Sequence, residues 1–126
     1  MPYRLTIEPG YLRITLVGQV VNQDLQSLAD QLQALERELV VTPHRLTDLS
    51  AVVEPHLTYP DIRALVERRK TQLLANPIKS ALVAPRPINV GFARMFQILN
   101  EHPQIDIQIF STVEAAQDWL FDSAEL

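Results

Sequence analysis

The sequence predicts a single α/β domain: one mixed, mostly parallel five-stranded sheet covered by four helices in the order ββαβαβαβα. Three observations carry this prediction. Two stretches near the start alternate polar and apolar residues at period two around a Pro-Gly pair, which is a hairpin signature. Beyond them, segments with apolar residues at spacings of three and four alternate with short apolar or alternating runs, the pattern of a parallel sheet with right-handed crossovers. Finally, 126 residues with 47% hydrophobic and 21% charged side chains fit one folded unit, and no repeat, linker or low-complexity tract divides residues 1–126. The spatial order of the strands stays open.

The elements follow in order. The hairpin pairs Tyr3 to Glu8 with Tyr11 to Val17, the turn Glu8-Pro9-Gly10-Tyr11 joins them, and Gly18 closes the second strand. Asn22 or Gln23 opens a helix to about Leu39, with Leu25, Leu28, Leu32, Leu35 and Leu39 on one seam; Thr42-Pro43 ends it. A short strand from Arg45 to Leu49 leads into a loop holding Pro55 and His56. Thr58 then stands three residues before Asp61 with Pro60 between them, a capping box for a helix from about Asp61 to Ala75. Its inner face carries Ile62, Leu65, Val66, Arg69 and Leu73, and Asn76-Pro77 stops it. The apolar run from Ser80 to Ala84 reads as a buried parallel strand, and Pro85-Arg86-Pro87 as an extended loop. The third helix, about Asn89 to Asn100, is apolar nearly all round, so it is buried on more than its sheet side. Ile105, Ile107 and Ile109 alternate with Asp106 and Gln108 as an edge strand. Ser111 or Thr112 caps the last helix, and the tail after Asp122 is expected to fray.

Several function classes are disfavoured. A formal net charge of −4 argues against broad nucleic-acid binding. The absence of cysteine removes disulfides and thiolate metal sites, and no apolar run approaches the ~20 residues of a membrane span. The first residues lack a signal-peptide core, so a cytoplasmic protein is expected. There is no G-x-S-x-G, no glycine-rich phosphate loop and no H-E-x-x-H, and His44, His56 and His102 lack metal-ligand spacing. No catalytic, cofactor-binding or metal-ligating residue is therefore assigned, and the chain is not expected to be an enzyme.

The remaining candidates each have two readings. The stretch from His44 to Lys70 covers a strand-to-helix rim, where open α/β sheets meet ligands, and is where function is expected to sit. Thr58 could accept a phosphate at a helix entrance, or simply cap it. Arg68, Arg69 and Lys70, with Arg63 and Lys79, could steer an acidic partner or complement a helix C-terminus. Arg94, interrupting the apolar third helix, could hold the anionic head of a ligand or pair with a carboxylate of a neighbouring helix or chain. The surplus apolar surface of Val90, Phe92, Met95 and Phe96 points first to a homodimer interface. The alternative is an apolar pocket between Tyr59 and Phe92 to Phe96, with Arg94 or Arg69 at its mouth.

Four motifs in order resemble the STAS-like superfamily, and within it the SpoIIAA-like group of small stand-alone domains. They are Thr47-Asp48-Leu49-Ser50, Ser80-Ala81-Leu82-Val83-Ala84, Gly91-Phe92-Ala93-Arg94-Met95-Phe96 and Glu114-Ala115-Ala116-Gln117-Asp118-Trp119-Leu120. Regulatory members of that superfamily carry an Asp-Ser-Ser-Gly-like turn before the second helix, whose serine a partner kinase phosphorylates. This chain departs from that turn and offers only Thr58, with Ser50 nearby, as candidate phospho-acceptors. The resemblance implies a SpoIIAA-like fold and a non-catalytic binding or regulatory module acting through protein contacts, as a homodimer or with another protein. Some members of the group look like carriers of apolar ligands, so a carrier of a small amphipathic or lipid-like molecule such as a fatty acid is the alternative.

Overall fold

The computed structural model describes residues 2–122, which form five strands and four helices. These are β1 (Tyr3–Glu8), β2 (Tyr11–Val21), α1 (Asn22–Glu38), β3 (His44–His56), α2 (Tyr59–Lys70), β4 (Ile78–Val83), α3 (Pro87–Leu99), β5 (Ile105–Phe110) and α4 (Val113–Leu120). The sheet runs β1-β2-β3-β4-β5, with β1 antiparallel to β2 and every other pair parallel. Because the order never reverses, crossovers of one hand place α1, α2 and α3 on the same face. Leu12, Ile14 and Leu16 of β2, Leu49 of β3 and Leu82 of β4 meet those helices. The opposite face carries Tyr11, Leu46, Ala81 and Val83 and is covered by Ala116 and Leu120 of α4.

The hairpin turn works as the Pro-Gly pair predicts. Glu8 pairs with Tyr11 in register, and Gly10 takes φ +89°. A Cβ on Gly10 would also lie 2.7 Å from the Phe121 ring, which stands edge-on to Tyr11. The cap of α2 is the reciprocal one: Thr58 Oγ1 accepts from the Asp61 amide at 3.3 Å, and Asp61 accepts from the Thr58 amide at 2.9 Å. Thr112, not Ser111, caps α4 by accepting from the Ala115 amide. The expected fraying after Asp122 lies outside the described residues.

Several boundaries differ from expectation. Gly18 does not close β2 but lies at φ +72° in an irregular stretch of the β2–β3 ladder, which then resumes to Val21. β3 correspondingly continues past Leu49, and the expected loop around Pro55 and His56 is strand, paired with Val20 and Val21. Proline is tolerated there because β4 pairs β3 only as far as Asp48, so the far edge of the ribbon needs no amide donor from Pro55. β4 begins two residues before Ser80 and α3 begins at Pro87. α2 starts earlier and stops at Lys70 rather than Ala75, and Leu73 is 89% exposed instead of facing inward. Long-range bonds claim the segment after it. Asn76 exchanges hydrogen bonds with the backbone of Thr42, and Gln104 does the same with the backbone of Leu74.

Gly10→Ala is expected to lower the unfolding free energy by about 1–2 kcal/mol, the cost of forcing a Cβ into the left-handed region. A urea titration of the two proteins checks it.

Candidate functional site

The site is a cavity between the sheet and the α1–α3 layer, with a volume of about 140 Å³. It exists because α2, the middle helix, stands off from the sheet. Its sequence YPDIRALVERRK is half charged and buries only Ile62 fully, and its main contacts are with α1 and α3. Phe92 and Phe96, edge-to-face at 5.2 Å, wall one side, and Leu25, Leu28 and Leu32 of α1 wall the other. Thr47 lies on the cavity floor and keeps partial exposure, although its strand is hydrogen-bonded on both sides. An interior at normal packing density would cover it. Ser80 of β4, near one end of the floor, is the in-register partner of Arg45.

The polar end of the cavity is built by residues distant in sequence. The Glu36 carboxylate at the end of α1 accepts from Arg45 of β3 at 2.5 Å and from Arg69 of α2 at 2.7 Å, both through Oε1. All three side chains are about nine-tenths buried, with exposures of 9%, 12% and 12% for Arg45, Glu36 and Arg69. Burial and then the like charge of Arg69 pull the Arg45 guanidinium down to about 10, against the opposing pull of Glu36. It stays charged at neutral pH. Arg69 also donates to Gln72 at 2.6 Å. Lys70 lines the same end but is paired with Glu67 and Glu101. His102 closes this end: its Nε2 donates to the Gln72 carbonyl at 2.6 Å while Nδ1 accepts from the Gln104 amide at 3.1 Å.

Of the residues singled out from the sequence, the structure gathers Arg69, Phe92 and Phe96 at the cavity. Met95 is half-buried on α3 and packs against the core outside it, whereas Tyr59 is 49% exposed at the start of α2. Arg94 is exposed, makes no ion pair among the described residues and does not line the cavity. The surplus apolar surface of α3 is largely absorbed by the core and the cavity, leaving Ile88 and Ile98 exposed. The two hydroxyl candidates do not converge. Ser50 lies within β3 and donates to Asp48 Oδ1 at 2.5 Å, while Thr58 caps α2. Burial alone would raise the Asp48 carboxyl, but bonds from the Ser50 hydroxyl and amide and from Arg13 outweigh it and hold the carboxyl below its ordinary range. Of the basic cluster, Arg68 reaches Gln26 and Asp30 on α1.

The cationic end lies at the N-terminal ends of the parallel strands, opposite the strand-to-helix rim where function was expected. α2 runs antiparallel to them, so Thr58 and Tyr59 are roughly 15 Å from Arg69 along its axis. Arg45 and Glu36 are not among the functional candidates taken from the sequence, Thr47 and Ser80 appear there only within motifs, and His102 only as a histidine without metal-ligand spacing. One local signal was available: Arg45, Thr47 and Leu49 alternate with Leu46 and Asp48, which puts two polar side chains on the same inward face as Leu49.

No protein-family model matches the chain, and no curated protein matches it either. Among solved structures it is similar to an uncharacterized protein of the DUF3478 family with a SpoIIAA-like fold from Shewanella loihica PV-4. The TM-score is 0.63 at 15% identity, over 94% of this chain and 91% of that one. It is also similar to the anti-sigma factor antagonist SpoIIAA in its unphosphorylated form, with a TM-score of 0.59 at 12% identity over 90% and 91% of the two chains. The chain has a SpoIIAA-like fold. In this SpoIIAA-like domain the expected class, a mixed five-stranded sheet with four helices, is the one observed.

Glu36→Gln is expected to lower the unfolding free energy by about 3 kcal/mol, since it leaves two buried guanidinium groups facing each other. Adding Arg69→Met to that variant should recover part of the loss. Chemical denaturation of the single and double variants checks both.

Proposed function

We propose that this domain is a non-catalytic binding module that takes a small, largely apolar molecule into the cavity under α2. The observation that supports the reading is the cavity itself, open enough to expose Thr47 at the middle of a five-stranded sheet. Its size narrows the occupant. A volume of about 140 Å³ is close to the roughly 150 Å³ of an apolar cavity that takes benzene, and below the roughly 300 Å³ where drug-sized pockets begin. One ring or a short alkyl chain fits, and the long tail of a fatty acid does not.

The test uses benzyl alcohol as a neutral probe of the whole chain. Saturating probe is expected to raise the melting temperature, and Leu28→Phe, which fills the cavity from α1, to abolish the shift while leaving the fold intact by circular dichroism. No shift in the original protein, or an undiminished one in the variant, refutes the reading.

A second reading has its own support. One of the two similar folds belongs to an anti-sigma factor antagonist, a protein that works through another protein. Here Ile88 and Ile98 remain 53% and 74% exposed, on the outward side of α3 with Arg94 between them. We assign this stripe to contact with a second copy of the chain or another protein. For the homodimer, light scattering should give twice the chain mass at micromolar concentration and the single mass for Ile98→Glu. A constant single mass on concentrating the original protein refutes it.

A further inference from the structure

We infer that the cavity selects small monoanions: one aromatic ring or short alkyl chain carrying a single carboxylate, which seats on Arg45 and Arg69 beside the Ser80 and Thr47 hydroxyls. This deepens the cavity-binding reading and rests on it.

Charge decides the class. Two guanidinium groups share one carboxylate, so the cluster of Arg45, Glu36 and Arg69 carries one positive charge in excess while being about nine-tenths buried. Lys70 does not add to it: Glu67 at 3.0 Å and Glu101 at 3.3 Å outnumber that ammonium, and because these carboxylates are half or more exposed, solvent screens their extra charge from the buried cluster. An uncompensated buried charge is costly, and an anion within reach removes the cost. A monoanion brings the sum over the buried cluster to zero. A dianion would reverse the excess, and a neutral or cationic molecule would leave it in place or add to it.

Unused donors decide the headgroup. The bond from Arg45 to Glu36 uses one terminal nitrogen, and its other guanidinium N–H groups have no partner among the described residues. Neither the Ser80 hydroxyl nor the Thr47 hydroxyl has a hydrogen-bond partner there either. Ser80 is in register with Arg45 and Thr47 is two residues along the same strand, so all three side chains rise from one patch of floor. A carboxylate has two oxygens that accept about four hydrogen bonds and donate none, which matches guanidinium N–H groups and two hydroxyls free to donate. The apolar remainder of the ligand then lies against Leu28, Phe92 and Phe96.

The experiment compares four probes that share one phenyl ring on the whole chain by calorimetry: benzoate, benzyl alcohol, benzylamine and phenyl phosphate at neutral pH. Benzoate is expected to bind at least about tenfold more tightly than benzyl alcohol, with benzylamine and phenyl phosphate weaker than benzoate. Ser80→Ala with Thr47→Val should weaken benzoate by roughly fivefold or more and benzyl alcohol by clearly less, since the charged acceptor loses the stronger hydrogen bonds. Arg69→Met should erase the preference for the anion, and the wild-type comparison stands alone if that variant does not fold. Equal binding of benzoate and benzyl alcohol overturns this inference and leaves the cavity reading intact. Tightest binding of phenyl phosphate overturns it as well. Failure of all four probes overturns both.

Discussion

A single carboxylate, that of Glu36, fastens three elements that the chain brings together only on folding. It joins the end of α1, the beginning of β3 and the end of α2 through two arginine bonds. Those bonds matter because α2 has little else to hold it down: of its twelve residues only Ile62 is fully buried, and Arg68 adds its contacts to α1 at the same end. At the other end the Thr58 cap satisfies the first amides of α2. α2 is thus held by the arginines at its C-terminal end and by Ile62, Leu65 and Val66 along its inner side, where Leu65 and Val66 roof the cavity.

This arrangement is costly. Leaving about 140 Å³ unfilled forgoes on the order of 3 kcal/mol of packing, by the usual price of about 24 cal/mol per Å³. The excess positive charge beside it adds a desolvation cost that Glu36 only partly offsets. Each defect alone could be removed by one substitution, a larger side chain at Thr47 or an uncharged one at Arg45. Their coincidence at one spot, in a domain whose opposite face is packed normally against α4, is what a binding site looks like in energetic terms.

What could be read in the sequence was what local chemistry determines. Pro9-Gly10 marks a turn because Gly10 must take positive φ, the leucine seam of α1 records one buried face, and Thr58 and Thr112 sit where helix amides need acceptors. The errors came where distant residues overrule local signals. Pro55 looks like a strand breaker until the ribbon edge is known to be open, and the end of α2 depends on Thr42 and Gln104, some thirty residues away on either side. The site was hidden for the same reason, since positions 36, 45 and 69 share no motif. Arg94 misled in the opposite direction. A charged residue in an apolar helix marks the side that faces water as readily as it marks a pocket, and here it lies with Ile88 and Ile98 on the outward side.

The position of the cavity, away from the strand-to-helix rim, has a topological cause. In open α/β sheets the crevice at the C-terminal edge of the strands forms where the strand order reverses, because helices on either side of that point lie on opposite faces and splay apart. The order β1-β2-β3-β4-β5 never reverses, so α1, α2 and α3 all lie on one face and no such crevice opens. Space for a ligand can then arise only between the layers. It arises under the helix with the least apolar inner face, and the cationic groups sit at the end where that helix and its neighbours finish. Helix C-termini favour positive charge, which is why Arg69 and Lys70 are stable there. With the beginning of β3 contributing Arg45 to the same place, the buried cationic cluster of this domain lies at the N-terminal edge of its sheet, the reverse of the edge where open α/β sheets usually meet ligands.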